Sequence, residues 1–387
     1  MSKSKWIYKN LKSTEFNVLA EKFGVHPAII KILADRGVQG EDAVREYLEA
    51  DIATVSDGSE LTDMQRGVNI VYDAVQAGKY IRIMGDYDVD GVSSTYILYK
   101  GLTGLGAKCD KFIPHRITDG YGLHEPAIRD AYEAGVQVIL TCDNGIAAAN
   151  EIKLAKELGM TVVVTDHHEV PYEIRHTCCS DEDVKSEEEQ HEVPYETPTE
   201  PGDNEGARHY IIPDADAVID PKRPEDDGVF KEICGAVVAW KFMWCLYKKF
   251  GKIDEFNNSD FLEIASLGTV CDVMELQHDN RAIVKEGLKK MQNTSNIGLQ
   301  ALLEVLGLRD KALTSYDYGF KIGPCINAEG RLDTANEAFD LLVETDYQKA
   351  LEKAAQMRDL NIERQELTKQ GMEEAFKIID TEMQNDK

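Results

Sequence analysis

From about residue 80 the sequence repeats one pattern, in which a short apolar segment is followed by a polar loop and an amphipathic helix. Continuous apolar strands that alternate with amphipathic helices are typical of a parallel sheet with helices on both faces. We therefore predict an α/β fold with a five-stranded parallel sheet. The predicted strands are Ile81–Gly85, Lys111–Pro114, Val136–Thr141, Met160–Thr165 and Ala217–Asp220.

Helical segments precede and follow this pattern. Residues 1–79 contain apolar residues at three- and four-residue spacing, which predicts an N-terminal helical region. A charged amphipathic segment that begins near Tyr347 predicts one long helix. We predict three parts, which are the helical region at 1–79, a core at 80–345 and a connecting helix at 346–387.

The chain is strongly acidic, with a formal net charge of −27. Eleven acidic residues and one lysine lie between Cys178 and Gly206, so we predict a solvated acidic insertion at 176–209. The adjacent Cys178 and Cys179 are poorly spaced for a zinc site. An acidic chain repels phosphodiester polymers unless it holds cations or has a local basic patch.

The sequence excludes a membrane protein and a secreted disulfide scaffold. Its apolar runs, such as Gly235–Trp240, are far shorter than the roughly 20 residues of a membrane span. The N-terminus has no apolar signal core. Eight cysteines without a paired framework are typical of reduced thiols, so we predict a cytoplasmic location.

Acidic and histidine residues follow three of the predicted strands. The carboxyl ends of neighbouring parallel strands meet in one crevice, so these residues are expected to lie together. Without counterions the carboxylates would repel one another, and divalent cations are the simplest way to hold them together. The three clusters are Gly85–Gly91 (GDYDVDG), Thr141–Gly145 (TCDNG) and Thr165–Glu169 (TDHHE).

The residue types favour Mn²⁺ or Mg²⁺. Asp88 and Asp90 are alternate residues, and in an extended segment both side chains would point to the same side. Asp143 and His167 add a carboxylate and an imidazole, a mixture that suits these ions better than structural zinc. Two such ions about 4 Å apart bind a phosphate between them and activate water. A calcium loop is disfavoured because Ile97 stands where an EF-hand needs Glu.

These motifs resemble those of the DHH phosphoesterase family. Asp86–Gly91, Asp143 and Asp166–His168 resemble its first three motifs, and Leu267–Val273 resembles the fourth. The resemblance extends to the RecJ single-strand exonucleases within that family. The segments similar to RecJ are Ile113–Arg116, Gly120–Leu123, Asn280–Arg281, Gly323–Leu332 and Asn361–Arg364.

The resemblance implies a phosphodiesterase with two Mn²⁺ ions, for which Mg²⁺ is the alternative. Asp143 is implied to bridge the ions, and Asp86 is implied either to bind an ion or to orient Asp88. The implied metal ligands are Asp86, Asp88, Asp90, Asp143, His167 and Asp272.

The resemblance also implies catalytic and phosphate-binding residues. Asp166 would hold a histidine in one tautomer, and His168 would donate a hydrogen bond to the scissile phosphate. Arginine suits phosphate because its planar guanidinium donates two hydrogen bonds at once. The implied catalytic residues are Asp143, Asp166, His167 and His168, and the implied phosphate-binding residues are Arg116, Arg281, Asn327 and Arg331.

Two features depart from the family pattern. RecJ enzymes have a second, DHH-associated domain with a glycine-rich motif, and we find no such motif in this sequence. We therefore expect that domain to be absent, and a protein partner that supplies it is one explanation. The acidic insertion is also longer than the corresponding segment of most family members.

The leading functional hypothesis is a metal-dependent 5′→3′ exonuclease that acts on single-stranded DNA with a 5′ end, in repair or recombination. One alternative is a DHH phosphodiesterase that acts on short oligonucleotides or cyclic dinucleotides. Another is a non-catalytic subunit or fragment that needs a partner. A family II pyrophosphatase is disfavoured, because Met84 stands where its first motif has a histidine.

Overall fold

The computed structural model describes residues 15–116, 120, 122–175, 207–332 and 336–385. Most of the acidic insertion and Tyr121 lie outside the described residues. The strands are β1 Tyr80–Met84, β2 Lys108–Phe112, β3 Val138–Thr141, β4 Thr161–Thr165, β5 Tyr172–Arg175, β6 Ala207–Tyr210 and β7 Ala217–Ile219. The helices are α1 Glu15–Phe23, α2 Pro27–Asp35, α3 Glu41–Glu49, α4 Met64–Gln76, α5 Val89–Gly104, α6 Glu125–Glu133, α7 Ala149–Glu157, α8 Gly235–Lys249, α9 Ile253–Asn257, α10 Phe261–Cys271, α11 His278–Met291, α12 Ile297–Val305, α13 Ser315–Asp317, α14 Gly323–Leu332, α15 Asn336–Val343 and α16 Tyr347–Asn385.

Five strands form one parallel sheet in the order β2-β1-β3-β4-β7. This confirms the predicted α/β fold with a five-stranded parallel sheet. The sheet positions the carboxyl ends of β1, β3 and β4 next to one another. Strands β5 and β6 form a separate antiparallel pair at the two ends of the acidic insertion, and the sequence pattern did not predict them.

Helices cover both faces of the sheet. Ile81 and Ile83 of β1 point to one face, where they pack with α4, α5 and α8. Met84 points to the other face, where it packs with Ile128 of α6 and Ile152 of α7. This alternation follows from the two-residue period of a strand.

The remaining helices form a layer beside the sheet and a small N-terminal core. Helices α10, α11 and α12 pack with α15 and the first part of α16. Helices α1 to α3 bury their own cluster, which includes Ile30 and Leu33. The long C-terminal helix predicted from residue 347 is confirmed as α16. The boundaries predicted after residues 79 and 345 stay predictions.

The second strand was placed too late in the chain. It was predicted at Lys111–Pro114 and is found at Lys108–Phe112. It is an edge strand, and its partly exposed residues include Asp110, which binds Arg82 with an oxygen–nitrogen distance of 2.7 Å. Polar residues of this kind hide the apolar signal on which the prediction depended.

Within the described part of the chain, no helix combines the length and the apolar character that a bilayer crossing requires. The six cysteines in that part are free thiols. The pair Cys178 and Cys179 lies outside the described residues.

Candidate metal centre

The first acidic motif lies at the junction of β1 and α5. Asp88 caps the helix, and its Oδ1 accepts a hydrogen bond from Gly91 N at 2.9 Å. Asp90 belongs to the first turn of α5, so the expected extended Asp88–Asp90 segment was wrong. The helix begins early because Gly91 lets the backbone pass close to Asp86, where a Cβ atom would lie 2.5 Å from the carbonyl oxygen.

The N-terminus of α8 holds Asp90 in place. Its Oδ2 accepts a hydrogen bond from Gly235 N at 2.6 Å, and its Oδ1 accepts one from Ala236 N at 3.0 Å. The first N–H groups of a helix lack partners inside the helix and carry partial positive charge. The carboxylate of Asp90 is therefore fixed in orientation although it is buried.

His167 lies among three carboxylates that come from different elements. Its Nε2 is 3.0 Å from Oδ1 of Asp143, 3.6 Å from Oδ2 of Asp90 and 3.8 Å from Oδ2 of Asp272. Asp143 follows β3, His167 follows β4 and Asp272 follows α10. The parallel sheet thus brings together residues that are far apart in the sequence.

The predicted metal-binding residues form overlapping groups with ligand atoms within 4.8 Å of one another. One group is Asp86, Asp88 and Asp143, and another is Asp90, His167 and Asp272. Asp143 also groups with His167 and His168, so it belongs to both sides. We call the six residues the Asp–His cluster, which comprises Asp86, Asp88, Asp90, Asp143, His167 and Asp272.

The electrostatics of the cluster fit bound divalent cations. Burial, followed by repulsion from neighbouring carboxylates, raises the pKa of Asp86 and of Asp272 to about 7. The same two causes raise the pKa of Asp143 well above its ordinary value. In the described part of the chain, Oδ1 of Asp86 and Oδ2 of Asp272 are buried and accept no hydrogen bond. A cation would compensate these carboxylates and use their free oxygens as ligands.

The two adjacent histidines differ in charge. Burial lowers the pKa of His167, which keeps the ring neutral at pH 7 and able to bind a metal. Burial also opposes the charge of His168, but its hydrogen bond to Asp166 raises its pKa to about 9. The Nδ1 of His168 lies 2.8 Å from Oδ1 of Asp166, whose Oδ2 accepts from Ile146 N. His168 is therefore a half-exposed cation beside a neutral imidazole that is able to bind a metal.

The four predicted phosphate-binding residues lie in different environments. The Arg116 guanidinium carbon lies 5.2 Å from the centre of the Tyr87 ring. Because Tyr87 lies between Asp86 and Asp88 in the sequence, this contact places Arg116 beside the cluster. Oδ1 of Asn327 accepts a hydrogen bond from Val89 N at 3.1 Å and so holds the start of α5.

Arg281 is held by the N-terminal helices. Its guanidinium lies 3.7 Å from the Tyr47 ring and donates to the Tyr47 carbonyl at 2.6 Å. Its contacts therefore give it a structural role. The backbone of Arg331 lies in α14, and its side chain lies outside what the structure describes.

Two charged residues that follow β7 were not predicted as part of the site. Asp220 is buried beside Asp166, and burial followed by repulsion from Asp166 raises its pKa to about 8. Lys222 forms an ion pair with Glu169 at 2.9 Å. Burial has the largest effect on two neighbouring groups, since it lowers the pKa of His167 and raises the pKa of Asp272. The positive charge of Lys222 lowers both pKa values by a smaller amount. An Asp-Pro-Lys sequence directly after a strand was the available signal.

Known proteins resemble this chain in sequence and in fold. The sequence profile of the DHH family, N-terminal domain, matches residues 80–190. A crystal structure of exonuclease RecJ bound to manganese is 30% identical, with a TM-score of 0.65, and the match covers 81% of this chain and 69% of that one. The chain belongs to the DHH family. The resemblance predicted from the motifs is thereby confirmed, and the fold is that of a RecJ-like core.

Two further relatives support the assignment of this chain to the DHH family. The single-stranded-DNA-specific exonuclease RecJ of Bacillus subtilis (strain 168) is 31% identical over 379 residues, which are 98% of this chain and 42% of the relative. RecJ from Thermus thermophilus in complex with Mn²⁺ is 28% identical, with a TM-score of 0.71 and coverage of 93% and 45%. The same protein in complex with Mg²⁺ matches at 25% identity, with a TM-score of 0.62 and coverage of 93% and 42%. The chain spans about half the length of the curated relatives that it matches.

Proposed function

We propose that the chain hydrolyses phosphodiester bonds as a metal-dependent 5′→3′ exonuclease on single-stranded DNA, in repair or recombination. The observation on which this rests is the Asp–His cluster, in which Asp143 groups with Asp86 and Asp88 and also lies 3.0 Å from His167 of the other ligand group. Relatives described as single-stranded-DNA-specific exonucleases support the substrate, and relatives bound to Mn²⁺ or Mg²⁺ support a divalent metal.

In this proposal Asp86, Asp88 and Asp143 would hold one ion, and Asp90, His167 and Asp272 would hold the second, with Asp143 as the ligand assigned to both. When bound, the two ions activate water and stabilise the charge that develops on the phosphate. We propose that both ions are Mn²⁺, and Mg²⁺ is the alternative.

In this proposal other residues act on the substrate directly or hold in place the groups that do. His168 donates a hydrogen bond from its charged ring to the scissile phosphate, and Asp166 keeps that ring charged and oriented. Arg116 binds a substrate phosphate beside the cluster. Asn327 acts through α5, because its amide oxygen holds the helix that contains Asp90. Phosphate binding by Arg331 stays a prediction, and the contacts of Arg281 do not support that role.

We also propose a protein surface on α16 from Ile362 onward. Apolar side chains are exposed there, which supports packing against a partner or a DHH-associated domain. The cytoplasmic location that the sequence predicts is likewise a proposal. The exposed apolar residues are Ile362, Leu367, Met372, Phe376, Ile378 and Ile379.

Digestion of a 5′-phosphorylated, 3′-labelled single strand in Mn²⁺ tests the function. We expect stepwise loss of 5′-mononucleotides, abolished by Asp143→Ala because this proposal assigns Asp143 as a ligand to both ions. Asp214→Ala is the matched control, since that side chain is 97% exposed. Cleavage of a dinucleotide alone would replace the polymer with a small substrate. A folded, metal-loaded chain that cleaves neither would refute hydrolysis by this chain and favour a subunit that needs a partner.

A further inference from the structure

Two cationic residues follow the two outer strands of the sheet. Arg116 lies four residues after β2, and Lys222 lies three residues after β7. Strands β2 and β7 are at opposite ends of the strand order, and the three strands between them are followed by Asp86, Asp143 and His167. The cluster of ligands therefore lies between two cations at one edge of the sheet.

The backbone fixes Lys222 beside the Asp-His-His loop. The register aligns Thr165 of β4 with Ile219 of β7, and Asp166 N donates to the Ile219 carbonyl at 3.0 Å. Beyond that bond, Lys222 N donates to Oδ1 of Asp220 at 2.8 Å, which closes a tight turn. Lys222 therefore lies beside the end of the Asp-His-His loop, where its Nζ is 2.9 Å from Oε1 of Glu169, the residue after His168.

The side chain of Lys222 is held close to the protein but weakly paired. It is 17% exposed, whereas its partner Glu169 is 85% exposed. An ion pair with an exposed carboxylate contributes little, because water competes for both groups. A phosphate that entered the crevice can therefore replace Glu169 as the partner of Lys222.

We propose that Lys222 binds a phosphate that neighbours the scissile one, on the opposite side of the Asp–His cluster from Arg116. This inference rests on the proposed function. The outer strands are four strand spacings apart, or about 19 Å, which is longer than one nucleotide. The single strand then crosses the edge of the sheet from β2 to β7, and its phosphates meet a cation on each side of the metal ions.

Binding of short oligonucleotides tests the proposal. Fluorescence anisotropy is measured in Mn²⁺ with hexanucleotides whose first linkage is a phosphorothioate, which slows cleavage. We expect Lys222→Gln to weaken binding about tenfold and to reduce the slope of log K against log [salt] by about 1. Glu169→Gln should strengthen binding, because it releases Lys222, and Lys222→Arg should restore it. Lys252→Gln is the matched control, since Lys252 pairs with Glu255 at the same 2.9 Å.

A panel of hexanucleotides with one neutral methylphosphonate each locates the contact. In a double-mutant cycle, Lys222→Gln should couple to the substitution at a linkage next to the scissile one and to no other. Coupling at the scissile linkage, or at none, would overturn the proposal, as would a changed Mn²⁺ binding isotherm. If the unmodified protein bound no oligonucleotide, the proposed function would fail as well. If the unmodified protein degraded single-stranded DNA and Lys222→Gln bound oligonucleotides as tightly as the unmodified protein, this inference alone would be refuted.

Discussion

Gly235 contacts two residues of the Asp–His cluster. Its N–H donates to Asp90, and its missing side chain leaves room for Asp143. A Cβ atom at this position would lie 2.8 Å from the Cβ of Asp143 and 3.0 Å from its Cα. Asp143 itself has a φ of 61°, a conformation that is uncommon for residues other than glycine and that leaves it little freedom to move away.

Gly235→Ala should therefore weaken Mn²⁺ binding by about 10- to 100-fold, the range found when groups that orient metal ligands are altered. Calorimetric titration with Mn²⁺ measures this, and circular dichroism verifies that the variant is folded. Gly371→Ala is the control, because a Cβ atom there has no neighbour within 4 Å, and it should bind Mn²⁺ as before. Wild-type affinity in Gly235→Ala would contradict the role assigned to this glycine.

At the residue scale, the sequence predicted which side chains meet but not how each is held. Motif spacing brought Asp88, Asp90 and Asp143 to one edge, as the structure has them. The orientation of the Asp90 carboxylate depends on donors from α8, which are 145 residues away, and motif spacing contains no such information. The contact of Arg281 with Tyr47 joins residues that are 234 positions apart in the sequence. The strand before Lys222 was predicted, but the Asp-Pro-Lys sequence that follows it was not recognised as a signal.

At the scale of elements, one buried polar network joins four helices. Oδ2 of Asp260, before α10, accepts from the Tyr96 hydroxyl of α5 at 2.6 Å and from Nδ2 of Asn296 at 2.9 Å. Asn296 also donates to the Leu342 carbonyl of α15 and caps α12 by accepting from Leu299 N. These groups are buried, so each bond lost would leave a polar atom without a partner.

Asn296→Ala should therefore lower the free energy of unfolding by about 3 kcal/mol, because it removes a helix cap and leaves buried groups unsatisfied. Urea denaturation followed by circular dichroism measures the change. Asn258→Ala, at an exposed position after α9, should stay within about 0.5 kcal/mol of the wild type. Equal stability of the two variants would show that the network contributes nothing.

Elements with strong apolar patterns were predictable, and elements at the edges of the fold were not. Strands β1, β3 and β4 are almost entirely buried, and their sequences are correspondingly apolar. Strand β2 is partly exposed, and its boundaries were misplaced. The β5–β6 pair was missed because Tyr172 and Ile174 are exposed and the two strands lie far apart in the sequence.

At the scale of the whole molecule, the Asp–His cluster joins the sheet to the helical layer. Asp86, Asp88 and Asp143 follow sheet strands, whereas Asp272 ends α10 of the helical layer. The net charge of −27 adds general repulsion to this local excess of carboxylates. Bound cations would therefore stabilise the contact between the two layers as well as the site.

This arrangement predicts a stability that depends on pH and metal together. Burial, and to a smaller extent repulsion from neighbouring carboxylates, raises the pKa of Asp86 and of Asp272 from 3.8 to about 7. Between those values the metal-free folded protein binds more protons than the unfolded chain. Its stability therefore falls as the pH rises through this window. Mn²⁺ needs the ionised carboxylates, so its stabilising effect should grow over the same range, to about 2.7 kcal/mol at 100 times its Kd.

Thermal unfolding from pH 5.5 to 8 measures both effects. Without metal the Tm should fall with pH, and the increase in Tm on addition of Mn²⁺ should be small at pH 5.5 and large at pH 8. Asp272→Asn should weaken both trends, because it removes one raised pKa and one ligand. Asp214→Asn, on an exposed side chain, should leave them unchanged. An increase in Tm with Mn²⁺ that is the same at both pH values would mean that these carboxylates are not the ligands.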